Sequence, residues 1–301
     1  MNTITTTTPH PAAASGRLRA VLGLFKLRIG VVIAFTAWAG LLVTPGQGPA
    51  LWRSAAVVFA VLMSSAAAGA FNQYMEVDLD RRMGRTRRRP FVTGTLTHGR
   101  HWLWLIVAMV AGSTLLAGWA ANAWSALYTF LGAFFYGVVY TVWLKRRTWM
   151  NIVVGGLAGS FAVLAGAAAI DPSMTAIPLA FALVLFLWTP PHFWSLAIAY
   201  RKDYEAAGVP MLPVVAGDAA SSRAILLHTV ALVAASLLPA AFGMGPIYWI
   251  PAALAGAHFL RTSVALVADP GPRAAMRNFH ASLMQLTVVL IAAMADALMR
   301  L

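Results

Sequence analysis

What most constrains this chain is a series of nine long apolar runs, separated by short polar segments that alternate between strongly basic and nearly uncharged. The runs cover residues 27–43, 54–74, 102–120, 124–144, 152–170, 177–200, 224–243, 247–267 and 281–299. Each approaches the ~20 residues that cross a bilayer as a helix. Each is also apolar on every face, as a helix surrounded by lipid or by other helices must be. In lipid the backbone has to satisfy its own hydrogen bonds, which selects helices over open sheet. Composition agrees: 60% of residues are hydrophobic and 10% charged, where a soluble domain carries roughly a quarter charged residues. So much apolar surface fits neither one soluble core nor a disordered chain. The expected fold class is an all-α polytopic membrane protein, a bundle of nine transmembrane helices.

The net charge of +13 raises the question of nucleic acid, but the basic residues sit in short loops between apolar runs. Every one except Arg53 and Arg300 falls on the same side if the chain is threaded nine times. That asymmetry is the signature of cytoplasmic loops, so the sequence predicts N-terminus inside, C-terminus outside and no nucleic-acid partner. Most of the acids share that side, among them Glu76, Asp78, Asp80, Asp203 and Glu205. Acids contribute little to orientation. Their concentration therefore points to chemistry at the inner end.

There is no cysteine, which excludes a disulfide framework, a thiol nucleophile and thiolate metal ligands. Residues 1–16 are rich in Thr, Ala and Pro, without the charged and apolar regions of a signal peptide or the basic amphipathic stretch of a transit peptide. They are expected to form a disordered tail before a single transmembrane domain over 17–301.

The chemistry-bearing residues form three groups. In the first, Asn72, Glu76 and Asp80 recur every four residues, so on a helix they line one stripe at the inner end of the second run. Two carboxylates and an amide oxygen suit Mg2+, which usually bridges to substrate phosphates. The arginines that follow, Arg81, Arg82, Arg85, Arg87, Arg88 and Arg89, supply forked donors for phosphate oxygens. A solvated helix end would explain these arginines alone. It does not explain Asn72 and Glu76 beside an apolar run, where ionisable groups are costly. Carboxylates, a divalent metal and arginines together describe a diphosphate site.

The second group surrounds Pro190 and Pro191, which interrupt the sixth run and are expected to kink it. His192 follows within the span, and Lys202 and Asp203 lie just beyond it. The third is Lys145, Arg146 and Arg147 after the fourth run, a topology signal that can also clamp anions. The glycines 155, 156 and 159 are read as allowing close helix packing.

Segments 72–90, 140–151 and 188–215 resemble the intramembrane aromatic prenyltransferases of the UbiA superfamily, and the PPHFW and AGVPMLPVV stretches resemble its haem-modifying branch. The resemblance implies a nine-helix bundle with a central cavity and a polar cap on the cytoplasmic side. It implies transfer of a farnesyl group from farnesyl diphosphate to a vinyl group of protohaem IX (haem B), with hydration, giving haem O. Carried over by position, Asn72, Glu76 and Asp80 match the metal-diphosphate motif and would hold Mg2+ as cofactor. Arg85, Arg89, Lys145 and Lys202 would bind the diphosphate. The superfamily's second motif is usually a pair of Asp four apart; here only Asp203 keeps a carboxylate, and as what remains of that second half-site it is expected to be catalytic together with Asn72, Glu76 and Asp80. His192 would meet the haem edge or its iron. The implied setting is the inner membrane of a bacterium, with the site facing the cytoplasm and a downstream haem A synthase as partner. Three other readings compete: a prenyltransferase for a quinone precursor, a transporter, and a haem-binding module without catalysis. The first should show the missing Asp pair. The second should show paired broken helices near mid-membrane. The third leaves the Asn72–Asp80 stripe unexplained.

Overall fold

The computed structural model describes residues 11–300, and among these there is no strand. Fourteen helices follow one another: α1 (Pro11–Leu24), α2 (Leu27–Val43), α3 (Leu51–Met75), α4 (Val77–Arg82), α5 (Pro90–Thr93), α6 (Arg100–Ala120), α7 (Ala123–Phe134), α8 (Asn151–Gly155), α9 (Leu157–Ala168), α10 (Ala176–Ala199), α11 (Arg201–Ala206), α12 (Leu212–Ala241), α13 (Pro246–Ala268) and α14 (Pro272–Leu298). After Phe134 the chain widens into π-type turns over Phe135–Leu144, extending α7 to a full span. Eight helical segments are long and apolar enough to cross a membrane. The bent pair α1–α2, with 42° between its arms, makes nine if it is counted as one span. The protein is a multi-pass membrane protein.

Of the expected tail, residues 1–10 lie outside the described residues, and positions 11–16 open α1. The seventh and ninth spans begin earlier than hydropathy indicates, at Leu212 and Pro272 instead of 224 and 281. The reason is visible at the start of α14. Arg273 and Arg277 are exposed while Ala274, Ala275 and Asn278 are buried, so the helix continues past the apolar run with one polar face. Within α12, Gly217 adopts φ 80° and ψ 168°, a conformation that favours glycine, and the helix bends there.

The sixth run does not break at its prolines: α10 stays helical through Pro190 and Pro191. Side chains support the backbone on either side. Thr189 Oγ1 donates to the Leu185 carbonyl at 2.9 Å, and Ser195 Oγ donates to the Pro191 carbonyl at 2.6 Å. Asn278 of α14 in turn donates to Ser195 Oγ at 2.9 Å.

Successive spans pack against one another around the bundle, and α14 returns to α2 to close it. Small residues set the tightest crossing, between α2 and α9. A Cβ on Gly40 would run into the Val163 carbonyl, and one on Gly166 into the Ala37 carbonyl. Such backbone approach is how helices associate where lipid removes the hydrophobic drive. Where α1 turns into α2, Lys26 takes a left-handed conformation, φ 47° and ψ 42°, at a cost of about 1–2 kcal/mol for a residue with a Cβ.

Candidate active site

The bundle holds an apolar cavity of about 340 Å³, within the range of small-molecule sites. Its walls come from α2, α3, α7, α9, α10 and α14, with Lys26 and Tyr136 at one region and Trp188 and His192 along another. Glycines 155, 156 and 159 line it as well. Their lack of a side chain also serves packing, since a Cβ on Gly156 would lie 3.0 Å from Thr189 Cβ.

The three oxygen-bearing residues of the first group are brought together as the spacing predicts. α3 ends at Met75 and α4 starts at Val77, but the backbone bonds Glu76 N–H to Asn72 O (3.1 Å) and Asp80 N–H to Glu76 O (2.8 Å) carry the helical register across the break. Asn72, Glu76 and Asp80 are each 2% exposed. Buried carboxylates demand partners, and each has one. Lys145 Nζ lies 2.6 Å from both oxygens of Glu76. Arg89 Nη1 lies 2.8 and 2.7 Å from the two oxygens of Asp80, and 3.9 Å from Glu76. Burial pushes the Asp80 carboxyl above the usual carboxylate range, against the opposing pull of Arg89. The expected metal ligands and two of the expected diphosphate clamps thus form one cluster, paired with each other.

Asn72 opens the row. Its Oδ1 accepts from Lys26 Nζ at 2.6 Å, and its Nδ2 donates to Thr141 Oγ1 at 3.0 Å. Lys26 Nζ also reaches the Tyr136 hydroxyl at 3.2 Å. Thr141 donates to the Tyr136 carbonyl, five residues back, at 2.8 Å. The π-type turns therefore place Tyr136 and Thr141 together against Asn72. Sequence reasoning missed Lys26, Tyr136 and Thr141. Only their position beside basic loops could have drawn attention to them.

The remaining predicted residues sit at the rim. Arg85 is exposed; its guanidinium stands 5.7 Å over the Tyr200 ring, and its backbone N–H donates to Asp203 Oδ2 at 3.2 Å. Asp203 thus joins the loop after α4 to α11, and among the described residues it makes no hydrogen bond to Asn72, Glu76 or Asp80. Lys202 is exposed, and its ammonium makes no hydrogen bond among the described residues. Outside the row, Arg146 grips Asp78 with two bonds of 2.7 and 2.8 Å.

His192 is 8% exposed and stacked between Trp188 and Phe279, with ring centroids 4.1 and 4.5 Å away. Its Nδ1 lies 2.8 Å from Ser282 Oγ. That hydroxyl also lies 2.6 Å from the Phe279 carbonyl, and with its proton directed there His192 Nδ1 is the donor. In that tautomer Nε2 keeps its lone pair, on a residue that lines the cavity.

Among the described residues, no three His, Asp or Glu side chains converge as a closed metal cage. Mg2+ does not require one, because it is usually held by one or two carboxylates plus substrate phosphates. Two carboxylates and an amide oxygen in a buried row are a donor set of that kind.

The helical membrane bundle thus holds a buried row of two acids and an amide matched by cations, and an apolar cavity that Lys26 joins to it. The chain belongs to the UbiA prenyltransferase family, whose model matches residues 32–289. Two proteins of Paramagnetospirillum magneticum resemble it along almost their whole length. Protoheme IX farnesyltransferase 2 is 57% identical over 95% of this chain and 99% of its own. Protoheme IX farnesyltransferase 1 is 48% identical over 92% and 98%. A protoheme IX farnesyltransferase of Rhizorhabdus wittichii is 41% identical over 95% and 97%. Among solved structures, a digeranylgeranylglyceryl phosphate synthase shares the fold with a TM-score of 0.78 at 18% identity, covering 94% of this chain and 99% of that one. A UbiA homologue from Archaeoglobus fulgidus, bound to DMAPP and Mg2+, superposes with a TM-score of 0.72 at 16% identity, covering 93% and 98%.

Proposed function

We propose that this chain transfers the farnesyl group of farnesyl diphosphate to a vinyl carbon of protohaem IX (haem B), with addition of water, giving haem O and diphosphate. The observation that carries this reading is the buried row Asn72, Glu76, Asp80, with Lys145 and Arg89 bound to it, beside an apolar cavity able to receive a prenyl chain. The acceptor is supported by the relatives above, which are named for protohaem IX and match this chain over nearly all of its length.

Asn72, Glu76 and Asp80 would hold Mg2+, which when bound supplies positive charge to the leaving diphosphate. Lys145 and Arg89 donate to diphosphate oxygens once Glu76 and Asp80 are engaged elsewhere. Arg85, exposed on the loop after α4, and Lys202, exposed on α11, bind the outer phosphate, and Asp203 fixes the loop that carries Arg85. Donors held ready in a buried site stabilise the charge that grows as the bond breaks. The allylic C–O bond breaks with its electron pair on the diphosphate, and the vinyl π electrons form the new C–C bond. Water then adds to the haem-side cation and releases a proton. Until the C–C bond forms, the apolar cavity wall keeps water from the allylic cation.

His192, with Nδ1 as donor to Ser282, offers Nε2 to the haem edge or its iron. The site would face the cytoplasm from the inner membrane of a bacterium, on the side that holds all basic residues except Arg53 and Arg300. Its product would pass to a haem A synthase.

The test is a competition. Membranes containing this protein receive labelled farnesyl diphosphate, Mg2+, haem B and 4-hydroxybenzoate together. Label in the haem fraction is expected; label in the benzoate would assign the protein to quinone-precursor chemistry.

A further inference from the structure

The cluster is not balanced charge for charge. Glu76 has Lys145 and Asp80 has Arg89. Lys26, a third cation in the same cluster, has only the amide oxygen of Asn72 and the hydroxyl of Tyr136 as polar partners among the described residues. Lys26 is half-buried, and an ammonium drawn out of water onto neutral partners is costly unless an anion completes its site. The backbone is shaped to keep it there. Lys26 occupies the left-handed region at the elbow between α1 and α2, and strain of that kind gathers at ligand sites. Gly69 of α3 leaves room for the lysine stem, since a Cβ there would stand 3.3 Å from Lys26 Cβ and 3.4 Å from Lys26 Cδ.

Position defines the anion. Lys26 lines the apolar cavity and at the same time touches Asn72, the first member of the oxygen row. A ligand with its prenyl chain in the cavity and its diphosphate at the row has the scissile C–O bond at this junction. Lys145 and Arg89 are bound to the later members of the row, Glu76 and Asp80.

We propose that Lys26 is a diphosphate-binding residue, which donates to the phosphate at the prenyl-bearing end and stabilises the oxygen that receives the electron pair when the allylic C–O bond breaks. No proton needs to move, because the ammonium acts as a hydrogen-bond donor throughout. This inference rests on the diphosphate reading of the site given above, and the experiment separates the two.

Binding of inorganic diphosphate in the presence of Mg2+ is measured by calorimetry on the detergent-solubilised full chain, for wild type, Lys26→Met and Lys26→Arg. The expected result is a loss of about tenfold or more in Lys26→Met, the scale of one charge-assisted hydrogen bond. Lys26→Arg is expected within about threefold of wild type, and both variants should melt as wild type does. Equal affinity in Lys26→Met and wild type would overturn the role of Lys26. Failure of wild type itself to bind diphosphate would instead overturn the site reading on which it rests. A second measurement needs no variant: acylation of Lys26 in the wild-type protein, followed by peptide mass spectrometry. Mg2+ with diphosphate should slow that labelling, and an unchanged rate would contradict the assignment.

Discussion

One guanidinium nitrogen of Arg89 lies 2.8 and 2.7 Å from the two carboxylate oxygens of Asp80. The pair spans the loop between α4 and α5, so the arginine-rich segment folds back over the acids that precede it. Asp80 is buried and Arg89 partly exposed, its side chain at 20%. The cation is therefore the member free to swing toward an incoming anion.

Removing one partner of a buried pair leaves the other uncompensated. Arg89→Ala should lower stability by roughly 2 kcal/mol, less than for a fully buried pair because the guanidinium reaches solvent. The double variant Asp80→Asn, Arg89→Ala should recover part of that loss and no activity. Thermal unfolding in detergent, run with turnover on the same samples, checks both. Recovery of activity in the double variant would mean that the pair has only a structural role.

Asp78 and Arg146 make a different kind of pair, with side chains 53% and 42% exposed. The hydrogen bonds from Arg146 hold the Asp78 carboxyl below its ordinary value. A depressed folded-state value means that the stabilisation is present above the ordinary carboxylate value, near 4, and is lost as pH falls through the folded-state one. For an exposed pair it amounts to less than about 1 kcal/mol. Asp78→Asn should therefore melt slightly below wild type at pH 7, with the gap closing at acid pH, and turnover should be unaffected. Melting curves from neutral pH down to about pH 3 test the sign.

Packing of α2 on α9 leaves no room for a methyl group. Gly166→Ala would drive a Cβ into the Ala37 carbonyl, and the two backbones must separate. Overpacking of this kind costs about 1–3 kcal/mol. A lower melting temperature and a smaller folded fraction after detergent extraction are expected. At Gly208, where the space around a Cβ is open but φ is +68°, alanine should act through backbone strain alone and cost less.

His192 is held by Ser282 and by stacking on Trp188 and Phe279. Ser282→Ala keeps the stack and removes the hydroxyl bonded to Nδ1. It should raise the KM for haem B by a few fold, while His192→Ala should raise it by about tenfold or more, the scale of a lost ligand contact. The haem absorption spectrum of each variant gives an independent reading; identical spectra and affinities would remove His192 from the haem site.

The spans were legible because lipid permits little else than helices, and nine apolar runs predict the helices that form. The ends of α12 and α14 were not, since hydropathy stops where Arg223 and Arg277 begin while the helical backbone does not. Pro190 and Pro191 mark a strained point in the sixth run, and α10 continues through it with side-chain bonds from Thr189, Ser195 and Asn278 around them. Within the site, Asn72, Glu76 and Asp80 were readable because their spacing is local and helical. Lys26 was not, because its partners Asn72 and Tyr136 lie 46 and 110 residues away. Lys145 and Arg89 were expected as cations of the site; Arg89 reaches Asp80 across a loop of a few residues, whereas the pairing of Lys145 with Glu76 depends on how the end of α3 packs against α7's extension, which no spacing encodes.

The most direct test of the account is product analysis with the purified protein, haem B, farnesyl diphosphate and Mg2+ in water enriched in oxygen-18. The account predicts a haem carrying one farnesyl group and one hydroxyl oxygen drawn from solvent, absent when EDTA is added and absent in Asp80→Asn. A haem left unmodified by protein that still binds farnesyl diphosphate, or a product formed equally well by Asp80→Asn, would contradict it.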